Sequence, residues 1–256
     1  MRVFKFGGAS VKDAEGVKNV VKVLTETGHE NTVVVVSAMG KTTNALEGVV
    51  EAYFTQPESS KTALQDVEVF HQHIIDELFE APNSPVSKRV KNLFEQCHTF
   101  LANNRSPHEA FVYDQVVSFG ELVSTSIICA YLNHIGIAAE WIDARSCIKT
   151  DNFYRSAHLD WKRTQLAIQN QVQGRTLKIT QGFIGSDDNN FTTTLGREGS
   201  DYSAAIFAYC LGATDVTIWK DVPGVLNADP RVFDKTQLLH HISYQEAIEL
   251  AFYGAS

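Results

Sequence analysis

Continuous apolar runs mark short segments of the chain that are typical of buried strands. The run at 32–36, Thr-Val-Val-Val-Val, shows no alternation of polar and apolar residues. Such a run suits a parallel strand that is covered on both faces, and we predict the same environment for 215–219. The other segments that we predict to be extended are 3–6, 138–142, 177–180 and 191–195.

Helical periodicity fills most of the intervals between these strands. In 13–28, Val17, Val20 and Leu24 recur at three- and four-residue steps, and Gly28 is placed to end the helix. Because strands alternate with helices, we predict the α/β fold class, a three-layer α/β/α sandwich with a mainly parallel central sheet and right-handed crossovers. The other predicted helices are 43–54, 60–80, 85–103, 108–135, 160–172, 200–211 and 243–253.

Length and composition allow one large domain or two small ones. The chain has 256 residues, of which 44% are hydrophobic, so it can bury a sizeable core. It contains no evident repeat, low-complexity segment or linker. We therefore predict that residues 1–256 form one domain, with a helical lobe at 56–118.

The charge balance argues against several classes of partner. The chain carries 22 Lys and Arg against 30 Asp and Glu, and an acidic surface repels nucleic-acid phosphates. No run approaches the roughly 18 consecutive apolar residues of a membrane span, and the first residues lack the apolar core of a signal peptide. The four cysteines form no Cys-x-x-Cys pair and are interpreted as buried, reduced thiols. We expect a cytoplasmic or organelle-stroma protein without nucleic-acid or membrane partners.

Glycine-marked loops after the predicted strands carry the candidate chemistry. Lys5 precedes Gly7 and Gly8; such glycines let backbone N–H groups approach an anion, and a lysine suits a phosphoryl group. A tight turn without a ligand would use the same glycines. The P-loop spacing is absent, because Val35 stands five residues before Gly40 where that motif needs glycine, and no Gly-x-Gly-x-x-Gly follows a strand.

Further polar residues lie where predicted strands lead into helices. Ser37 and Thr43 follow the strand 32–36, at the edge where ligands bind in open α/β sheets, although Thr43 would equally suit a helix cap. Glu121 opens an apolar helix. There it either complements the helix dipole or grips a substrate ammonium group.

Two later loops combine glycine with charged residues. In 194–202, Arg197 has the planar guanidinium that binds a carboxylate through two hydrogen bonds. Asp201 is placed to orient Lys5. Alternatively, Ser200 or Asp201 would serve merely as a helix cap. Pro-Gly and Asp-Pro pairs predict turns in the loop after 219. That loop contributes Lys220, Asp221 and Arg231, the last expected to be free for phosphate or ribose.

Seven segments follow one another along nearly the whole chain: KFGGAS at 5–10, VVVVSAMGKTTNAL at 33–46, SFGELVST at 118–125, TQGFIG at 180–185, TLGREGSDYSA at 194–204, WKDVPGVLNADPRV at 219–232 and FYGAS at 252–256. In this order they resemble the aspartate kinases of the amino-acid kinase superfamily. The resemblance implies ATP- and Mg²⁺-dependent phosphorylation of the side-chain carboxylate of L-aspartate to 4-phospho-L-aspartate. That reaction is the first step toward lysine, threonine and methionine.

The resemblance also implies roles for individual residues. Lys5 would neutralise the phosphoryl group in flight, and Asp201 would organise the catalytic centre. Glu121 would face the substrate ammonium group and Arg197 its α-carboxylate. The aspartate site as a whole would comprise Ser37, Thr43, Glu121 and Arg197. The nucleotide site would comprise Lys5, Gly7, Gly8, Lys220, Asp221 and Arg231, and we assign no protein ligands to a metal.

The chain departs from the family pattern in places. Many relatives have Thr at Lys220, some have Tyr at Leu226, and many have a second phosphate-binding lysine at Ser256, so the cation that complements Lys5 is unidentified. The family usually continues into paired regulatory ligand-binding domains. We therefore interpret the chain as a catalytic domain with an incomplete C-terminal end, and expect the full-length protein to be a homo-oligomer.

Two alternative functions remain open. A sister kinase would act on glutamate, acetylglutamate, carbamate or a nucleoside monophosphate, and the segments SFGE and GREGSDY argue against it. A non-catalytic nucleotide-binding module would bind ATP without phosphoryl transfer. Turnover with aspartate, compared with the other acceptors, separates these hypotheses.

Overall fold

A five-stranded parallel sheet lies at the centre of the fold. The computed structural model describes residues 1–79, 84–222 and 224–254, so the expected turn at Pro223 and the departure at Ser256 lie outside the described residues. The strands are β1 (Arg2–Phe6), β2 (Thr32–Val36), β3 (Ala139–Ile142), β4 (Leu177–Gln181), β5 (Ile184–Ser186), β6 (Thr192–Thr194) and β7 (Asp215–Trp219). The parallel sheet has the order β3-β4-β2-β1-β7, and β5 pairs with β6 in a separate antiparallel pair.

Helices cover both faces of this sheet. Asp13 caps the first helix by accepting a hydrogen bond from the backbone N–H of Gly16. The α-helices within the described residues are α1 (Ala14–Thr27), α2 (Thr42–Thr55), α3 (Pro57–Leu78), α4 (Pro85–Asn103), α5 (Glu109–Val117), α6 (Phe119–His134), α7 (Ala144–Cys147), α8 (Trp161–Gln171), α9 (Gly199–Leu211) and α10 (Tyr244–Phe252).

Successive residues of β2 enter two different cores. Val34 and Val36 pack with residues of helices α1 to α6, whereas Val33 and Val35 pack with residues of α7, α8 and α9. A strand buried on both faces requires apolar side chains at every position, which explains why the valine run has no alternation. The three-layer α/β/α arrangement predicted from the sequence is confirmed.

Strand β7 differs from its prediction. We predicted 215–219 as a strand buried on both faces. Among the described residues, however, β7 pairs with β1 alone and lies at the edge of the sheet. Val216 is 43% exposed and Ile218 is 39% exposed. The prediction of burial is wrong because an apolar run indicates a strand but does not reveal its place in the strand order.

Some predicted element boundaries also change. The predicted helix 108–135 is divided by a turn at Ser118 into α5 and α6. The predicted helix 60–80 already begins at Pro57, since proline suits the first helical position, and its predicted last residue lies outside the described residues. The extended segment 191–195 contains β6; its partner β5 is not predicted, because three residues are too few to show a period.

The chain separates into two compact units, Met1–Trp219 and Lys220–Ser256. The second contains α10, whose start carries a reciprocal capping box between Ser243 and Glu246. Within the first unit, α3 and α4 contribute to the same core as α1 and α2. One domain with a helical lobe at 56–118 stays a prediction.

One helical stretch, Glu109–His134, is long and apolar enough to cross a membrane by length and composition alone. Its most apolar window has a mean hydropathy of 1.4, and 83% of that window is buried inside the protein. Core helices of folded proteins have the same composition, so this stretch is interpreted as part of the core.

Candidate active site

The loops after β1 and β2 are in direct backbone contact. Both strands run in the same direction, with Phe6 opposite Val36, so their carboxyl ends reach the same edge of the sheet. The backbone N–H of Gly40 donates to the carbonyl of Gly8 at 3.0 Å. A Cβ on Gly8 would lie 2.8 Å from the carbonyl oxygen of Ala38, so only glycine permits this approach.

The first of these loops carries a buried lysine. The side chain of Lys5 is 9% exposed, and its Nζ lies 2.6 Å from Oδ1 of Asp201, on the first turn of α9. No other partner for this oxygen occurs in the described part of the chain. A Cβ on Gly7 would lie 3.4 Å from the same Nζ. The structure thus brings together Lys5, Gly7 and Asp201, as expected.

The backbone of this loop has unused donors. Within the described residues, neither Gly7 nor Gly8 donates its N–H to another group of the protein. Gly8 also begins a short 3₁₀ helix, Gly8–Val11. Adjacent free N–H groups beside a lysine form a cradle that suits an anion.

Glu121 is fully enclosed rather than displayed on the helix surface. It is 2% exposed, and its Oε1 accepts a hydrogen bond of 3.2 Å from the backbone N–H of Ala38. Its Oε2 is buried and has no partner within the described residues. Burial raises the pKa of Glu121 to about 8. A buried carboxyl group with one unpaired oxygen calls for a ligand, and in its ionised form it would bind a cationic or hydrogen-donating one.

Gly120 explains how Glu121 reaches the loop after β2. A Cβ on Gly120 would lie 2.9 Å from Cβ of Ala38 and 3.2 Å from Cγ2 of Thr42. The absent side chain therefore lets α6 pack closely on residues 38–42. The glycine of the SFGE segment is required by this contact.

A buried polar network fixes the first turn of α6, and sequence reasoning did not assign it a role. The hydroxyl of Thr125 donates to the carbonyl of Glu121 at 2.8 Å and accepts from Gln181 Nε2 at 2.6 Å. Trp141 Nε1 also donates to Thr125 Oγ1, at 2.9 Å. Only the fold brings these residues together, although Thr125 and Gln181 lie inside segments that carry the resemblance.

The start of α9 is packed tightly against the end of β4. A Cβ on Gly182 would lie 2.6 Å from the side chain of Ser200. The backbone N–H of Phe183, which has a positive φ of 69°, donates to Ser203 Oγ at 2.9 Å. This contact places Asp201 at the sheet edge that also holds Lys5.

The cap interpretations of three residues are wrong. The N-cap of α2 is Lys41, so Thr43 is the second residue of the helix. The N-cap of α9 is Glu198, in the left-handed region with φ 55°, so Ser200 and Asp201 lie inside the first turn. Their polar groups are therefore available for other contacts.

The remaining aspartate-site candidates are more accessible. Ser37 and Thr43 are half-buried, and Arg197 is exposed. Ser37 is held through its carbonyl, which accepts from Ser124 Oγ at 2.8 Å. No side-chain hydrogen bond of Ser37, Thr43 or Arg197 occurs within the described residues, so the assigned roles stay predictions.

The remaining nucleotide-site candidates, Lys220, Asp221 and Arg231, belong to the second compact unit. Lys220 and Asp221 are exposed. Arg231 was expected to be free, but its Nη2 lies 2.8 Å from Oδ2 of Asp229, which also accepts from its Nε. The pair is two residues apart and solvent-exposed, so a phosphate can compete with it.

Carboxylates do not gather into a preformed metal cage in the described ranges. No group of three or more His, Cys, Asp or Glu side chains there is arranged to hold a metal ion. Mg²⁺ in nucleotide sites is commonly held by one or two carboxylates together with phosphates and water. The carboxylate of Asp201, at the sheet edge, would fit that mode of binding.

The amino acid kinase family model matches residues 1–256. The chain belongs to the amino acid kinase family. Among curated relatives of this amino acid kinase, Lysine-sensitive aspartokinase 3 of Escherichia coli (strain K12) is 33% identical, over 99% of this chain and 56% of the relative. Aspartokinase 1, chloroplastic, of Arabidopsis thaliana is 33% identical, over 99% of this chain and 46% of the relative. The chain spans about half the length of such relatives.

Solved structures agree with this family and fold. Escherichia coli aspartokinase III in complex with aspartate and ADP has a TM-score of 0.89 and 32% identity, covering 100% of this amino acid kinase and 57% of that chain. The aspartate kinase of Clostridium acetobutylicum has a TM-score of 0.80 and 26% identity, covering 98% and 55%. An isopentenyl phosphate kinase, 14% identical with a TM-score of 0.53 over 100% of this chain and 88% of that chain, shares the fold alone.

Proposed function

We propose that this amino acid kinase transfers the γ-phosphoryl group of ATP to the side-chain carboxylate of L-aspartate, giving 4-phospho-L-aspartate. The observation that carries the proposal is Glu121, a buried carboxyl group whose Oε2 has no partner in the described part of the chain. It bonds to the N–H of Ala38, and Gly8 of the lysine-bearing loop packs on the carbonyl of the same residue. A site for an ammonium group is thus joined to a site for a phosphate.

The names of similar proteins support this acceptor. The Escherichia coli structure with a TM-score of 0.89 is an aspartokinase in complex with aspartate and ADP. The segments that resemble the aspartate kinases include Lys5, Glu121 and Asp201, and the first and last of these form an ion pair here. Sister kinases acting on other acceptors are the alternative.

The chemistry requires positioning and charge neutralisation more than proton abstraction. A side-chain carboxylate is already ionised at neutral pH, so no strong general base is needed. Lys5, held by Asp201, would stabilise negative charge on the phosphoryl group, and the free N–H groups of Gly7 and Gly8 would bind its oxygens. Mg²⁺, when bound with the nucleotide, supplies further charge neutralisation.

The acceptor would be oriented by groups at its other end. Glu121 would bind the ammonium group of aspartate, since its unpaired oxygen needs a donor. Arg197 would bind the α-carboxylate, because its guanidinium is exposed and its fork matches a carboxylate. Ser37 and Thr43 would supply hydroxyl contacts between these two ends.

Three further nucleotide-site candidates follow strand β7 in the sequence. Lys220, Asp221 and Arg231 would contact ATP, with Arg231 exchanging its exposed partner Asp229 for a phosphate. We further propose a cytoplasmic, homo-oligomeric enzyme of lysine, threonine and methionine biosynthesis.

The test compares acceptors with the whole protein and Mg-ATP. Hydroxylamine trapping of the acyl phosphate should show product with L-aspartate and little with glutamate, acetylglutamate or carbamate. Lys5→Ala serves as the inactive control. Preference for another acceptor would overturn the assignment of aspartate, and ATP binding without trapped product would favour a non-catalytic module.

A further inference from the structure

A second buried carboxyl group, that of Asp114, lies outside the candidate site, and both of its oxygens are hydrogen-bonded. Asp114, on α5, is 0% exposed. Both of its oxygens accept from the backbone N–H of Arg155, at 3.0 and 3.1 Å. Thr194 donates twice, from its N–H at 2.8 Å and from its hydroxyl at 2.8 Å. The carboxyl group of Asp114 therefore ties helix α5 to two distant segments, one at Arg155 and one at Thr194.

The two segments that Asp114 joins also contact each other. The backbone N–H of Ala157 donates to the carbonyl of Thr194 at 2.9 Å. A Cβ on Gly196 would lie 3.3 Å from the carbonyl oxygen of Arg155. Arg155 itself has a φ of 68°, in the left-handed region that is unfavourable for a residue with a side chain. Its hydrogen bonds to Asp114 offset that cost.

Thr194 is the last residue of β6, and Arg197 follows three residues later. The segment 195–198, here called the Arg197 loop, connects β6 to α9. Because the side chain of Arg197 has no hydrogen bond within the described residues, its place depends on the two ends of this loop. Ser203 and Gly182 secure the α9 end. At the β6 end, Asp114 accepts from Thr194, and the N–H of Leu195 donates to the carbonyl of Phe183 at 2.9 Å.

We propose that Asp114 is a positioning residue that holds the Arg197 loop, and thereby Arg197, in place for the α-carboxylate of the acceptor. The inference rests on the proposed function, since it assigns a support to one part of that site. Asp114 is fully buried and its oxygens are occupied by Arg155 and Thr194, so it acts without touching substrate.

The surroundings of Asp114 predict that this support depends on pH. Burial is the main cause that raises the pKa of Asp114 to about 6, against the opposing effect of its hydrogen bonds. The titratable groups around Asp114 are those of Arg155, Tyr113, Glu109, Tyr154 and Asp187. The guanidinium of Arg155 lies 4.0 Å from the ring centroid of Tyr113 and 3.9 Å from Oε1 of Glu109. The hydroxyl of Tyr154 donates a hydrogen bond to Asp187. Because the pKa is raised where Asp114 is buried, protonation favours the held loop over any state in which this carboxyl group meets water. Lowering the pH through about 6 should therefore tighten the loop rather than loosen it.

The main variant is Asp114→Asn, which keeps the size but loses the charge. Losing charge-assisted hydrogen bonds should raise KM for aspartate about tenfold or more, while KM for ATP stays within about twofold. Asp187→Asn is the matched control. Asp187 lies in the turn that connects β5 to β6 and is 3% exposed. It accepts hydrogen bonds from the N–H groups of Asn189 and Phe191 and from the hydroxyl of Tyr154. Asp187→Asn should lower the stability of the protein, but it should not raise KM for aspartate more than KM for ATP.

Amide hydrogen exchange gives a readout independent of catalysis. In Asp114→Asn, the Arg197 loop should exchange faster, whereas in Asp187→Asn it should not. Thr194→Val, which removes only the hydroxyl bond, should produce a smaller change in the same direction and serves if Asp114→Asn fails to fold. Equal effects of the Asp114 and Asp187 variants on KM and on loop exchange would overturn the inference. If the unaltered protein does not phosphorylate aspartate, the proposed function fails, and loop exchange alone still decides whether Asp114 holds the loop.

Discussion

The ammonium group of Lys5 lies 2.6 Å from Oδ1 of Asp201, joining the end of strand β1 to the first turn of helix α9. The lysine is almost buried, whereas the side chain of Asp201 is 30% exposed. The ion pair holds the ammonium group in place beside an aspartate that is itself partly exposed to solvent. This geometry suits a charge that must meet an incoming phosphoryl group.

Replacement of Lys5 by Ala should abolish phosphoryl transfer while the fold persists. The expected loss in kcat is on the order of a thousandfold or more, because a charge directed at the transition state is removed. Lys18→Ala is the control, since Glu15, which is exposed, is the one ion-pair partner of Lys18 among the described residues. Steady-state kinetics and circular dichroism of both variants check the prediction; near-normal turnover of Lys5→Ala would refute the catalytic role.

Variants of Arg197 should affect aspartate far more than ATP. Arg197→Lys keeps the charge but loses the planar fork, so KM for aspartate should rise by roughly tenfold. Arg175→Lys, at an exposed arginine that lies 3.8 Å from Glu30, is the matched control. If the Arg197 variant instead weakens ATP binding and leaves KM for aspartate unchanged, the two sites have been assigned the wrong way round.

Aspartate affinity should increase with pH toward about 8. Burial raises the pKa of Glu121 from 4.5 to about 8, so at neutral pH the empty site holds a protonated acid that attracts an ammonium group weakly. Binding should therefore release a proton, which calorimetry in buffers of different ionisation enthalpy measures. Glu121→Gln should bind aspartate weakly at every pH and release no proton. Proton release by that variant would contradict the assignment.

The same pKa predicts how stability changes with pH. Between about 4.5 and 8 the folded protein keeps the Glu121 proton that the unfolded chain has lost, so this group's contribution to the free energy of unfolding falls as pH rises. Glu121→Gln should remove that fall. Chemical denaturation at pH 5, 6.5 and 8 tests the difference, and identical pH profiles for the two proteins would show that Glu121 is ionised in the folded state.

Local pattern was sufficient for most of the elements, but it missed β5 and the turn at Ser118, and it did not predict contacts across the sequence. The valine run of β2 predicts a buried strand because every position must be apolar. The run of β7 is similar, yet its edge position follows from strand order, which no local pattern encodes. Asp114 gives no sequence signal either, since its partners Arg155 and Thr194 are 41 and 80 residues away.

The final prediction concerns two glycines in helices of the same layer. Gly120→Ala should destabilise the protein and raise KM for aspartate, because the new Cβ would lie 2.9 Å from Cβ of Ala38 and would push Glu121 from its loop. Gly48→Ala, in α2, meets nothing within 4 Å and should stabilise the helix by about 0.5–1 kcal/mol. Thermal unfolding and aspartate kinetics of both variants provide the test. If Gly120→Ala matches Gly48→Ala in stability and kinetics, α6 has room to move, and the close packing of Glu121 on the loop after β2 does not determine acceptor binding.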